Sequence, residues 1–117
     1  VTTQTIPLTA EARVAAGAAY LDAEVPDWRE RVRSFEGAPV VSSVTDCVLG
    51  RLAVSLDYVA DVRRWMSCVC CLPNGFQEFK RYHKLTDSDI VDMGFDVRYG
   101  DATYDHLQAA WNAELAA

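Results

Sequence analysis

The stretch Thr9-Ala10-Glu11-Ala12-Arg13-Val14-Ala15-Ala16-Gly17-Ala18-Ala19-Tyr20-Leu21-Asp22-Ala23-Glu24-Val25 decides the fold. Val14, Ala18, Leu21 and Val25 recur at steps of four, three and four, the spacing of one face of a helix. Thr9 can accept a hydrogen bond from a free amide of the first turn, and Glu11 suits the positive end of the helix dipole. The run Ala15-Ala16-Gly17-Ala18-Ala19 leaves a face of small residues on which another helix can approach closely. Ahead of this helix, residues 1–8 are polar and β-branched up to Pro7 and read as an extended arm.

Outward from Val25 the helical pattern repeats. Pro26 ends the first helix, and Trp28 and Val32, four apart, indicate a second short one over Asp27 to Arg33. Gly37 and Pro39 mark residues 34–43 as a loop with a possible extended Val40-Val41 pair. From Ser43 onward Val44, Cys47, Val48 and Leu52 share a face that continues through Leu56, Val59 and Val62 to Trp65 and Met66. This predicts either one helix from about residue 44 to about residue 70, or two that break near Ser55-Leu56-Asp57. Leu72-Pro73-Asn74-Gly75 reads as a stop and a turn. Phe76 and Phe79 favour a helix over residues 76–84, with a short strand as the alternative.

The last third is the most sharply specified. Thr86 followed by Asp89 imitates a capping box, Ile90 and Met93 share a face, and Gly94 supplies a left-handed stop. These bound a helix from about Asp87 to Met93, with Phe95 as the apolar contact beyond the glycine and residues 97–101 as a connector. Tyr104, Leu107, Trp111 and Leu115 then make the apolar stripe of a final helix from about Ala102 to Leu115, whose other face offers Asp101, Asp105 and Glu114 to water. The expected fold is therefore all-α: a small single-domain bundle of four to six helices over residues 9–117. Its core is Val14, Leu21, Trp28, Val48, Leu52, Trp65, Ile90, Phe95, Leu107 and Trp111.

Charge is distributed unevenly. Residues 1–84 hold ten acids and ten bases, whereas residues 85–117 hold seven acids (Asp87, Asp89, Asp92, Asp96, Asp101, Asp105, Glu114) against Arg98 alone, so the net charge of −6 belongs to that last third. Such a surface attracts basic proteins and repels nucleic acid and anionic membrane. A helix-turn-helix reading of the last two helices fails on this ground, because the second would present carboxylates to phosphates. No apolar run of roughly 18 residues and no basic segment ahead of an apolar one occurs, which predicts neither a spanning helix nor a secretory signal and places the protein in the cytoplasm.

Cys47, Cys68, Cys71 and His83 are the one set whose donor types suit a soft metal or thiol chemistry, but their spacing lacks a paired-knuckle form, and free cysteine is ordinarily a core residue. A cysteine nucleophile near Arg63, Arg64, Lys80 and Arg81 would need a base that nothing in the sequence supplies. His83 and His106 stand beside Lys84 and Asp105 and read as solvated surface histidines. The basic group with Lys84 reads as exposed helix charge. No catalytic residue, metal ligand or cofactor is assigned.

Several segments together resemble a group of small uncharacterised proteins of actinobacteria and their phages: Arg13 to Asp22 running on to Val25-Pro26-Asp27-Trp28, then Cys47 to Leu52, Met93-Gly94-Phe95-Asp96, and the helix from Tyr104 to Trp111. About half of the chain is covered. The group tends to carry glutamine where Arg51 stands, and a shorter stretch in place of Ala53 to Lys84. The resemblance implies a phage or mobile-element origin and no activity. The expected function is thus a non-enzymatic phage-type accessory protein of the host cytoplasm that binds a basic patch on a host or viral protein through Asp87, Asp92, Asp101 and Asp105. The alternatives are a metal- or thiol-dependent protein built on the cysteine and histidine set, and a structural virion component.

Overall fold

The structure is a computed structural model and describes residues 9–43, 46–58, 75–97 and 104–116. Six helices and no strand occur among these residues: α1 Ala10–Glu24, α2 Trp28–Arg33, α3 Val48–Ser55, α4 Gly75–Tyr82, α5 Asp87–Asp92 and α6 Tyr104–Ala116. The all-α expectation holds. The N-terminal arm, Trp65, the cysteines after Cys47, and the connector from Arg98 to Thr103 lie outside the described residues.

Local chemistry sets the helix ends. Thr9 Oγ1 accepts from the Ala12 amide at 3.0 Å, and α1 buries Val14, Ala18 and Leu21 with Val25 just past its end. Asp27, expected inside α2, stands instead at its N-cap, and Pro26 precedes it in the turn. Cys47 caps α3, its sulfur accepting from the Gly50 amide at 3.3 Å. The third helical pattern, expected from about residue 44, starts at Val48 because Cys47 is extended at the cap; it breaks where the sequence allowed it to, with α3 stopping at Ser55 and Asp57 at a left-handed φ of 61°. Gly75, expected in a turn, is the first residue of α4, and the region after it is helix rather than strand. Thr86 and Asp89 close both halves of a capping box at 3.1 and 2.9 Å, and Gly94 leaves α5 at φ 76°.

One core joins these elements. Leu21, Trp28, Val32, Leu49, Leu52, Ala53 and Phe79 have no accessible surface, and Trp111 and Leu107 have almost none. Each buried leucine or valine among them contributes about 1.5–3 kcal/mol on leaving water. Trp28 and Trp111 meet edge to face with centroids 5.8 Å apart, and Phe95 stacks on Trp111 at 5.3 Å. Trp111 Nε1 donates to the Gly94 carbonyl at 2.8 Å, so the indole ties α6 to the turn after α5.

Backbone contacts at glycines decide two crossings. A Cβ on Gly17 would run into the Met93 carbonyl oxygen, so the small-residue face of α1 receives the end of α5. A Cβ on Gly75 would lie 2.9 Å from the Gly50 carbonyl oxygen, which brings the first turns of α3 and α4 together. Tyr58, beyond the end of α3, touches Phe79 and Tyr82 on α4. The two helices therefore run in the same direction.

The final helix departs from its expected stripe in one place. Leu107 and Trp111 are buried, but Tyr104 is 40% exposed, and Ala110 fills the inner position instead. The Tyr104 hydroxyl donates to Asp96 Oδ1 at 2.6 Å, which holds the first turn of α6 against the residues after α5.

Arg51 was expected on no core face, yet it is 1% exposed. All five of its N–H groups are used. Nε donates to Asp46 at 2.8 Å, Nη1 to the carbonyls of Val32 and Gly37, and Nη2 to those of Glu36 and Ala38. The guanidinium thus ties the end of α2 to the loop after it, where the carbonyls of Glu36, Gly37 and Ala38 lie beyond any helix. Gln108 secures the next part of that loop, donating to the Pro39 carbonyl and accepting from the Val41 amide.

Candidate functional site

The described acids of the last third have different tasks in the fold, and the capping role expected of Asp89 is present. Asp89 Oδ2 accepts from the Thr86 amide, and Asp96 Oδ1 accepts from Tyr104 and from the Val97 amide. Glu114, expected to point outward, is half-buried, and its Oε2 accepts from Arg29 Nη2 at 2.7 Å. Lys80 reaches Asp87 from the preceding helix.

Of the four expected contact residues, Asp87 stands at the start of α5 with its side chain 91% exposed. Asp105 is exposed in the first turn of α6, and Asp92 is half-buried at the end of α5. Asp101 lies outside the described residues. The structure therefore puts Asp87 and Asp105 at the surface, with Asp87 carrying a lysine partner.

The cysteine and histidine set meets a different environment from the one a metal needs. Burial pushes the Cys47 thiol up to about 11, and the amides that its sulfur faces offset only part of that shift. The protonated form is the wrong one for a metal ligand or a nucleophile. Among the described residues no group of three or more His, Cys, Asp or Glu is arranged to hold a metal ion. Cys68 and Cys71 lie outside them.

His83 is a correction to the sequence reading: its side chain is only 13% exposed. Nε2 lies 2.8 Å from the Tyr58 hydroxyl, Nδ1 lies 3.9 Å from Glu24, and the ring stacks on Phe79 at 4.2 Å. Desolvation lowers its pKa below the ordinary value of 6.5 against the opposing pull of Glu24, so the imidazole is neutral at pH 7. His106 is exposed, as expected.

Of the residues expected as exposed helix charge, Arg81 and Lys84 are exposed and Lys80 is largely covered; Lys80 pairs with Asp87 and Arg81 with Glu78, and Lys84 has φ 56°. No described helix is long and apolar enough to cross a membrane.

A surface cavity of about 330 Å³ opens between α2, the loop after it and the end of α6, with Val32, Phe35, Pro39 and Leu115 among its walls. Its arginines are engaged: Arg51 as described above, and Arg33 through Nε and Nη2 to the Leu115 carbonyl. Their hydrogen bonds hold the wall together and leave it mainly apolar.

No protein-family model, curated protein or solved structure matches this chain. The site must be read from its own side chains.

Proposed function

We propose that this chain is a non-enzymatic accessory protein of phage type that binds a basic patch on a host or viral protein. Its contacts in this reading are the exposed Asp87 and Asp105 together with Asp92 and Asp101, of which Asp101 lies outside the described residues. The observation that carries the reading is the exposure of Asp87 and Asp105 at the first turns of α5 and α6, in a chain whose net charge is −6. Exposed acids of this kind raise the encounter rate with a basic protein more than they deepen its binding, so the association should weaken as salt rises. A lysine or arginine of the partner would compete with Lys80 for Asp87.

Charge reversal tests the reading. Immobilised wild-type protein and the variant D87K/D92K/D101K/D105K are exposed to host lysate at low and at physiological salt, and the bound proteins are identified by mass. A salt-sensitive basic protein retained by the wild type and lost by the variant supports the assignment. Equal capture by both would overturn it.

A further inference from the structure

An aromatic cluster on the α3 and α4 side of the molecule has no part in the acidic surface. We propose that Tyr58 is a one-electron redox site, oxidised with transfer of its phenolic proton to His83.

The geometry supplies each requirement of such a step. The Tyr58 hydroxyl and His83 Nε2 are 2.8 Å apart, a formed hydrogen bond along which a proton moves less than an ångström. The Glu24 carboxylate lies 3.9 Å from Nδ1 and favours the tautomer that carries its hydrogen there, so Nε2 is the acceptor and the phenol is the donor. The imidazole is mostly shielded from water by Phe79, stacked at 4.2 Å, and by the edge of Tyr20 at 6.3 Å. Tyr82 lies flat on Tyr58, with centroids 3.9 Å apart and planes 10° from parallel, and is 67% exposed. It gives an oxidant in solution electronic contact with a phenol that is itself half-covered.

The step balances with a high-potential outer-sphere oxidant that accepts one electron. Tyr58 loses an electron to that oxidant, its O–H bond breaks, and an N–H bond forms at Nε2. The products are a neutral tyrosyl radical, an imidazolium facing Glu24 and the reduced oxidant. A phenol with no base nearby must pass through a radical cation or release its proton to water, and either route is slower. Burial and the neighbouring Tyr82 raise the Tyr58 pKa against the opposing pull of Arg31, so loss of the proton before the electron is unfavourable.

Among the described tyrosines Tyr104 also has a base within reach, since it donates to Asp96 at 2.6 Å. A carboxylate is a weaker base than imidazole by about two pKa units, which assigns the easier oxidation to Tyr58.

Photogenerated tris-bipyridine ruthenium(III) serves as the oxidant, with the radical followed by optical absorption and by electron paramagnetic resonance on the full chain. A tyrosyl radical assigned to Tyr58 is expected, with its signal lost in Y58F and retained in Y104F. In H83F its formation should slow by about a hundredfold, the usual worth of a positioned base. The wild-type rate should fall as pH drops and His83 becomes protonated, and this inflection should vanish in H83F. Should H83F not fold, E24Q, which leaves the Tyr58 to His83 bond in place, should slow the step severalfold. An undiminished radical in Y58F would overturn the proposal. So would a rate and pH profile unchanged in H83F, or in E24Q where that variant is the one measured.

Discussion

Arg29 Nη2 lies 2.7 Å from Glu114 Oε2, so a base of the second helix neutralises an acid of the last helix. The same guanidinium donates through Nη1 to Asp22 at 2.8 Å and sits over the Trp28 ring at 4.5 Å. Charges that look separate along the chain are shared across α1, α2 and α6. Electrostatics here partly serves the fold, and a half-buried carboxylate such as Glu114 is committed to it.

Arg51 should be among the least replaceable residues. R51M removes the guanidinium donor from the carbonyls of Glu36, Gly37 and Ala38 and from the Asp46 carboxylate, and leaves the Val32 carbonyl with only its backbone partner. A loss of about 3–5 kcal/mol is expected in urea unfolding. R51K keeps the charge but lacks the planar fork, and should still lose about 2 kcal/mol. A loss below about 1 kcal/mol for R51M would contradict the role given to this side chain.

Gly94 and Gly37 share a left-handed backbone and differ in their surroundings. A Cβ at Gly94 would meet Val14 atoms at 2.9 Å, whereas one at Gly37 meets open space. G37A should cost about 1 kcal/mol from backbone conformation alone, and G94A about 3 kcal/mol because overpacking adds to it. Thermal melts of the two variants compare these costs directly.

His83 predicts a pH dependence with a defined sign. Its folded pKa lies below 6.5, so the unfolded chain binds more protons between the two values, and stability falls as pH drops from 6.5 toward the folded value. Above 6.5 the contribution is complete. Urea midpoints measured from pH 7.5 to pH 5 should show this slope in the wild type and a shallower one in H83F.

Cys47 should be chemically quiet while the chain is folded. With its thiol pushed up to about 11 and its side chain buried, peptide mapping after iodoacetamide treatment at pH 8 should find it unmodified, and modified once urea unfolds the protein. C47A removes the sulfur that caps Gly50 and should lose about 1 kcal/mol, whereas C47S keeps a capping oxygen and should lose less.

What the sequence made legible follows contact range. The Thr86 and Asp89 box, the Gly94 stop, the Thr9 cap and the stripe of α1 depend on neighbours within a turn or two, and each is present in the structure. The burial of Arg51 was not legible, because it depends on carbonyls of a loop 13 to 19 residues earlier, and an arginine in a helical pattern reads as surface. His83 misled for a related reason: its chain neighbour Lys84 is exposed, while its hydrogen-bond partner Tyr58 is 25 residues away. The excess of acids was legible as composition, but Glu114 was misread as facing water, since composition carries no record of Arg29, 85 residues before it.

The contact of Gly75 with the backbone of Gly50 has a consequence for how this fold can diversify. No side chain at position 75 fits without prying α3 and α4 apart, so a replacement there succeeds only if the paired helices shift their spacing together. Position 75 should therefore stay glycine, and a lineage that lost it would have to rebuild the seam between the helices before it could drift further.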